Sequence, residues 1–111
     1  KSQLALALIT HGAKLISDDQ VTLINTESEI ILSAPKSISG KIEARFVGIL
    51  KMPVLIAPLY LVIDLDQKEL DRLPKKKFVT YFNKKIPALN ANGIKKLEYS
   101  LIPLLKNNGI I

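Results

Sequence analysis

Residues 1–21 have the sequence KSQLALALITHGAKLISDDQV, and this stretch decides which fold the chain can adopt. Residues 3–10 are apolar on nearly every side, which predicts a short helix that is buried on several faces. Residues 13–17 have the pattern of a β-strand, and two aspartates, Asp18 and Asp19, bring that pattern to an end. A helix followed directly by a strand favours a fold in which helices pack on a sheet.

The lengths of these two segments predict that their far ends meet. A helix of about nine residues covers about 14 Å, and a five-residue strand covers about 16 Å. If the strand packs back along the helix, Asp18 and Asp19 arrive beside Lys1 and Ser2. An ammonium, a hydroxyl and two carboxylates then lie together at a helix N-terminus and a strand carboxyl end, where α/β folds bind phosphates.

This set of groups suits phosphoryl transfer, although each member also has an ordinary structural explanation. A lysine neutralises β/γ-phosphate charge, a hydroxyl binds Mg²⁺, and a carboxylate holds the metal or accepts a proton from a nucleophile. Equally, Lys1 and Ser2 are common at the start of any helix, and paired aspartates are common in turns. The residues alone leave both interpretations open.

Arginine is rare in this chain, which has fourteen lysines and two arginines, Arg45 and Arg72. An arginine in such a composition indicates a place that needs a planar, bidentate cation, as phosphate and carboxylate recognition do. Glu43 and Arg45 would share one face of an extended segment. Ordinary ion pairs explain these residues equally well, and Asp71 precedes Arg72 directly.

The rest of the chain predicts more strands and a final helix. The hydrophobic pattern favours a hairpin of residues 21–24 and 29–32, strands at 46–50, 59–65, 78–82 and 86–89, and a helix over 94–106 whose last turn Pro103 would disturb. We therefore expect an α/β fold, an α+β sandwich, in a single domain of residues 1–111.

The composition excludes several functional classes. The 111 residues carry a formal charge of +6 and contain no cysteine, which excludes disulfides, thiolate catalysis and common structural zinc sites. The longest apolar run, residues 52–63, contains Pro53 and Pro58 and is too short to cross a bilayer. We therefore expect a cytoplasmic protein without a membrane partner.

Lysine runs support a non-enzymatic alternative, namely a basic module that binds nucleic acid or an acidic protein. These runs are residues 75–77, 84–85 and 95–96. They would give salt-sensitive phosphate contacts, but few aromatic residues accompany them for base stacking. A solvated, lysine-rich strand edge that discourages aggregation is the simpler explanation, and we expect no nucleic-acid partner.

Four motifs in the chain resemble those of HPr kinase/phosphorylase. In that family, a GxxGxGKS loop precedes an apolar helix, a short strand and an A/S-D-D-x-V motif, to which residues 1–21 are similar. Residues 34–35 (AP) and 42–49 (IEARFVGI) are similar to its A-P and L-E-x-R-G-x-G-I signature. Residues 71–73 (DRL) correspond to its arginine motif. The four occur in the family's order and cover essentially the whole chain.

The resemblance implies catalytic and nucleotide-binding residues by position. Lys1 corresponds to the phosphate-binding lysine, and Lys1 and Ser2 together form the nucleotide-binding pair. Asp19 corresponds to the general base that takes the proton from the target serine and returns it in the reverse reaction. Arg72 corresponds to the active-site arginine.

It also implies metal ligands and a signature region. Ser2 and Glu43 correspond to ligands of Mg²⁺, and Asp18 would support the metal. The signature region contains Glu43, Arg45 and Gly48.

The fold and activity that the resemblance implies are specific. The fold is a P-loop-containing, phosphoenolpyruvate-carboxykinase-like nucleotide-binding core with a mixed sheet, of the short single-domain bacterial type. The implied activity is that of an ATP- and Mg²⁺-dependent serine/threonine-protein kinase that phosphorylates a serine of the phosphocarrier HPr. This reaction belongs to the regulation of carbohydrate metabolism by the phosphotransferase system. Phosphorolytic removal of that phosphate, pyrophosphate as a donor and a homo-oligomer are also implied. Another P-loop phosphotransferase or nucleotide hydrolase is the alternative enzyme.

The chain departs from the family pattern at several positions. The glycines before the lysine are absent, so we expect the chain to begin inside the P-loop and to have negligible activity as given. The family's upstream histidine is also absent, and we expect His11 to lie at the helix end as a cap or surface residue. Phe46 replaces a signature glycine. Residues 89–96 do not match the family's loop for phosphate removal, so the kinase direction is the better supported one.

Overall fold

Two helices enclose a run of eight strands in residues 2–107, the part of the chain that this computed structural model describes. The elements are α1 (Ser2–Thr10), β1 (Thr22–Asn25), β2 (Ile30–Ser33), β3 (Lys41–Ala44), β4 (Gly48–Lys51), β5 (Ala57–Pro58), β6 (Val62–Asp64), β7 (Lys77–Tyr81), β8 (Lys84–Asn90) and α2 (Glu98–Lys106). This mixture of helices and sheets confirms the predicted fold class.

The strands form three small sheets. The first sheet has the order β1-β2-β5 and is antiparallel, and the second is the β3-β4 hairpin. The third has the order β6-β8-β7, in which β6 runs parallel to β8 and β7 runs antiparallel to it. This last sheet is the predicted mixed sheet, and its two parallel strands bring their carboxyl ends to one edge.

The core joins the two ends of the chain. One buried cluster contains Ala91, Leu97 and Leu101, of which Leu101 is only 2% exposed. The other buried apolar residues in 2–107 are Ile30, Ile42, Ala44 and Ile86. Half-buried side chains from α1, β6 and α2 pack around the Leu101 cluster, namely Leu4, Leu8, Ile63, Leu65 and Leu104. Burial of these apolar groups fixes α1 against α2. No residue of α1 is fully buried, in contrast to the prediction from its apolar sequence, because α2 and β3 cover only part of its surface.

The predicted strand over residues 13–17 is wrong, since this segment has no regular structure. The segment still turns back after α1. Gly12, with φ of 102°, donates its N–H to Ile9 O at 3.0 Å, and Ala13 donates to Leu8 O at 3.0 Å. A left-handed glycine at this position is a common way to end a helix. The apolar residues of 13–17 are only half-buried, and no strand in residues 2–107 pairs with this segment.

His11 lies at the end of α1, as expected. Its ring Nδ1 is 2.9 Å from Ala7 O, and the side chain is exposed. His11 is therefore a surface residue of the helix end.

The predicted strand at 46–50 begins two residues late, at Gly48, because residues 45–47 form the turn of the β3-β4 hairpin. Val47 donates its N–H to Ala44 O at 2.9 Å to close this turn. Phe46 is fully exposed at its tip with φ of 68°, a conformation that glycine adopts without strain. The phenylalanine that replaces the family's glycine therefore stands at a position that favours glycine. Arg45 lies in the same turn, and not in the extended segment that we expected.

The later strands and the final helix are of the predicted type, but their lengths differ from the prediction. The predicted strand over 59–65 is regular only at Val62–Asp64, and the final helix begins at Glu98 instead of Ile94. Pro103 lies inside α2, which continues to Lys106, so the expected disturbance of the last turn is wrong. Proline has no N–H, so only one helical hydrogen bond is lost at this position.

Neither helix of residues 2–107 is long and apolar enough to traverse a lipid bilayer.

Candidate functional site

The site is centred on the carboxylate of Asp18, which contacts the first turn of α1. The Ser2 hydroxyl donates a hydrogen bond to Asp18 Oδ1, with 3.1 Å between the two oxygens. Both side chains are partly buried. The sequence analysis predicted that these two residues, sixteen positions apart, would lie side by side, and the structure brings them together.

The second oxygen of the same carboxylate binds β3. The main-chain N–H of Glu43 donates to Asp18 Oδ2 at 3.0 Å. In the β3-β4 sheet, β3 has β4 on one side only, so this N–H belongs to its open edge. Asp18 therefore connects the start of α1 to the edge of β3. This N–H was not predictable from the residues, because no sequence signal marks a particular main-chain donor.

A tight turn over residues 17–20 holds the two aspartates. Gln20 donates its N–H to Asp18 O at 2.7 Å, and the Ser17 hydroxyl contacts Gln20 O. Asp19 lies at the tip of this turn with φ of 64°, a conformation that aspartate tolerates better than most residues. The turn separates the roles of the pair: Asp18 points into the structure, while Asp19 is exposed at the surface.

Glu43 lies on the open face of its strand. In β3 the side chains of Ile42 and Ala44 are buried and those of Lys41 and Glu43 are exposed. Asp18 fixes the main chain of Glu43, and the Glu43 side chain is exposed to solvent. Ser2, Asp18 and Glu43 thus bring one hydroxyl and two acidic residues to one end of α1. Within residues 2–107, no cluster of three or more histidine or acidic side chains could hold a metal ion by itself.

Arg45, Gly48 and Arg72 are not gathered at this site. Lys1 lies outside the described residues. Arg45 is exposed in the hairpin turn, and Gly48 begins β4 with φ of 138°. Arg72 is exposed in the loop between β6 and β7, and within residues 2–107 no hydrogen bond or ion pair joins it to Ser2 or Asp18. The role of Arg72 stays a prediction.

The loop that carries Arg72 is anchored through Glu69. The Glu69 carboxylate forms an ion pair with Lys77, the first residue of β7, and accepts the N–H of Asp71 at 3.0 Å. The hydrogen bond from Lys77, followed by the one from the Asp71 main chain, lowers the pKa of Glu69 below its usual value of 4.5. Glu69 therefore fixes the backbone immediately before Arg72.

Replacement of Glu69 with glutamine is expected to lower the melting temperature at neutral pH. A carboxylate whose pKa is depressed in the folded state stabilises the fold above its unfolded pKa, and this stabilisation is lost as the pH falls through the folded value. The difference between wild type and Glu69→Gln should therefore shrink below about pH 4.5. Thermal unfolding across pH tests this. Glu27→Gln, an exposed turn residue, is the control, and a pH-independent difference would contradict the assignment.

A cleft opens on the other side of α1. Its volume is about 380 Å³, and its lining comes from the first two turns of α1, the end of β6, and the segment that joins β8 to α2. It lies at the edge where the parallel strands β6 and β8 end, which is where α/β folds bind ligands.

Comparison with known proteins finds relatives that share the name HPr kinase/phosphorylase. The chain is 35% identical over 80 residues to the HPr kinase/phosphorylase of Clostridium tetani, a match that covers 65% of this chain and 26% of that protein. It is 40% identical over 55 residues to that of Clostridium acetobutylicum, which covers 50% of this chain and 18% of that protein. The chain thus spans about a quarter or less of the length of these relatives. No family model matches the chain.

A solved structure has the same fold. The Hpr(Ser) kinase/phosphatase from Coxiella burnetii superimposes with a TM-score of 0.78 at 23% sequence identity, over 96% of this chain and 74% of that chain. The helix-enclosed sheet arrangement is therefore the same fold as in that structure.

Proposed function

We propose that the protein belongs to the HPr kinase/phosphorylase family, to whose members it is similar, and that it transfers the γ-phosphoryl group of ATP to a serine hydroxyl of HPr. The observation that supports this most strongly is the contact between Ser2 and Asp18 at the start of α1. It joins a hydroxyl and a carboxylate at a helix N-terminus, where anions bind.

The donor set at this point fits Mg²⁺. Magnesium binds oxygen ligands at about 2.0–2.1 Å in an octahedron, so that neighbouring ligand oxygens are about 2.9 Å apart. Ser2 Oγ and Asp18 Oδ1 are 3.1 Å apart, close to that spacing. Glu43 would add a second carboxylate from β3. Magnesium usually keeps several waters and binds substrate phosphates, so it needs few protein ligands.

Ser2, Asp18 and Glu43 would hold the metal, and Lys1 would neutralise charge on the β- and γ-phosphates. When bound, Mg²⁺ would supply further positive charge to the phosphate oxygens and orient them. The first N–H groups of a helix have no partner within it, so those of α1 would donate to the bound phosphates. Phosphoryl transfer depends mainly on such positioning and charge neutralisation.

Asp19 is the general base in this proposal. Its carboxylate accepts the proton of the acceptor serine as the serine oxygen bonds to the γ-phosphorus, while the bond from that phosphorus to the β-phosphate oxygen breaks and ADP leaves. The exposed position of Asp19 suits a protein acceptor, which must approach from solvent. Asp18 is unsuited to this role, because both of its oxygens are engaged inside the structure.

The lysine runs support the basic-module alternative less well. Lys77 pairs with Glu69, and Lys84 donates to Asn25 Oδ1 at 2.6 Å and to Thr26 O at 2.9 Å. Lys85 lies over the ring of Phe78, 5.9 Å from its centre. Glu69 neutralises Lys77, and neutral groups hold Lys84 and Lys85, so these three ammonium groups are less available to phosphates.

The native protein, incubated with ATP, Mg²⁺ and HPr, is expected to yield HPr that carries one phosphoryl group on a serine. Mass spectrometry of HPr measures this product, and HPr with its acceptor serine changed to alanine is the control. Incubation of the product with inorganic phosphate tests the reverse reaction.

Two results would contradict the proposal. ATP hydrolysis without transfer to HPr would favour the alternative P-loop nucleotide hydrolase. Salt-sensitive binding to a nucleic acid without any phosphotransfer would favour the basic module.

A further inference from the structure

We propose that the tip of the β3-β4 hairpin, residues 45–49, is a docking surface for the protein acceptor, and that Phe46 is its central contact. This inference rests on the proposed function, since it names a surface that recognises HPr beyond the reacting serine. Three observations carry it: the exposure of the hairpin tip, the strain in its backbone and its position beside the phosphate site.

The hairpin tip exposes contiguous apolar surface. Phe46 is completely exposed, and Val47 and Ile49 are 77% and 71% exposed. No charged residue interrupts positions 46–50. Single exposed apolar side chains are ordinary on a protein surface, whereas a contiguous group of them marks an interaction site. The tip therefore has the character of a surface that a partner covers.

The backbone of Phe46 is strained without compensation from the fold. Its φ of 68° lies in the left-handed region, which destabilises the folded protein when the residue carries a bulky side chain. Because the ring is fully exposed, it gains no burial against residues 2–107 that would offset this cost. Residues in such conformations are concentrated at binding and catalytic sites. A contact that the ring makes only in a complex accounts for a phenylalanine at this position.

The hairpin begins at the site where phosphoryl transfer is proposed. Asp19 follows Asp18, whose carboxylate accepts the main-chain N–H of Glu43 at 3.0 Å. Glu43 is the cross-strand partner of Ile49, so both side chains lie on the outer face of the hairpin. Three residues lead from Glu43 to Phe46, a span of at most about 11 Å. The apolar tip is therefore a short distance from the proposed general base.

A protein acceptor at Asp19 is large enough to cover the hairpin tip. A specific interface buries about 800 Å² on each partner, which corresponds to a disc with a radius of about 16 Å. Arg45 at the tip and the cross-strand pair of Lys41 and Lys51 on the outer face place three exposed cations around the apolar residues. The acceptor that fits this surface presents an apolar patch beside its serine, with acidic side chains at the edge of that patch.

Replacement of Phe46 with glycine tests the inference, because it removes the ring and relieves the strain together. We expect the KM for HPr to rise at least about tenfold, while kcat and the Kd of Mg-ATP change less than about twofold. The melting temperature should rise by about 2–4 °C, since glycine adopts a positive φ without strain. A weaker acceptor contact in a more stable protein is a result that a merely structural role of Phe46 would not give.

Phe82→Gly is the matched control for this substitution. Phe82 also has a positive φ, of 52°, but it lies in the turn between β7 and β8, in a different sheet. This variant removes the same side chain from the same kind of backbone conformation. It should leave the KM for HPr at the wild-type value.

Amide hydrogen exchange of the wild type gives a second measurement that needs no variant. Saturating HPr is expected to slow exchange at residues 45–49 and to leave residues 81–84 unchanged. An unaltered KM in Phe46→Gly, or no protection at the tip, would overturn the docking assignment while the proposed function stands. A smaller oligomer of Phe46→Gly in sedimentation without HPr would assign the tip to an interface between copies and would also overturn it. Failure of the wild type to phosphorylate HPr would overturn the proposed function and this inference with it.

Discussion

Replacement of Asp19 with asparagine is expected to lower the rate of phosphoryl transfer to HPr by about 10²–10⁴-fold, the usual contribution of a positioned general base. Asparagine cannot accept the serine proton, yet it tolerates the positive φ that residue 19 adopts, so the turn should keep its shape. Nucleotide affinity should change by less than about twofold, because the base acts on the acceptor.

Single-turnover transfer assays and ATP titration together test the role of Asp19. Asp66→Asn, an exposed aspartate in the loop after β6, is the control and should transfer at the wild-type rate. Full transfer by Asp19→Asn would remove Asp19 from the mechanism, and a parallel loss of ATP affinity would indicate a structural role instead.

Asp18→Ala has the second large expected effect, because it removes two contacts at once. The Ser2 hydroxyl and the Glu43 N–H each lose a charged acceptor, and hydrogen bonds to charged groups contribute about 1.5–3 kcal/mol when well shielded. Asp18 is only partly buried, so we expect a loss of about 2 kcal/mol in the free energy of unfolding for both contacts together. The affinity for Mg²⁺ in the presence of nucleotide should fall at least about tenfold.

Urea unfolding and Mg²⁺ titration measure these two losses separately. Asp18→Asn is the informative companion, since its single carbonyl oxygen can keep one of the two hydrogen bonds without the charge. It should recover part of the stability and little of the magnesium affinity. Wild-type stability and wild-type magnesium affinity in Asp18→Ala would show that residue 18 anchors neither β3 nor the metal.

The sequence predicted those elements whose signals are local. The α1 helix, the β1-β2 hairpin, the β7 and β8 strands and the fold class follow from hydrophobic spacing and turn residues. The meeting of Ser2 and Asp18 followed from segment lengths alone, even though residues 13–17 are not a strand. Chain dimensions are similar for a strand and for an irregular returning segment, so the wrong element still led to the right neighbour.

Contacts between segments that are far apart in the sequence were not predictable from local patterns. The anchoring of Asp18 to β3 depends on a main-chain N–H, which every residue except proline possesses and no side chain marks. The late start of β4 depends on the backbone conformation of Phe46, whose side chain favours strands. The cleft is built from segments at both ends of the chain, and only the packed fold brings them together.

The link between Asp18 and β3 uses the backbone of Glu43 and leaves its side chain out of the architecture. Replacement of Glu43 with aspartate, glutamine or histidine would therefore change the proposed metal ligand and leave the main-chain hydrogen bond to Asp18 in place. We therefore expect that the side chain at position 43 can change with little loss of stability.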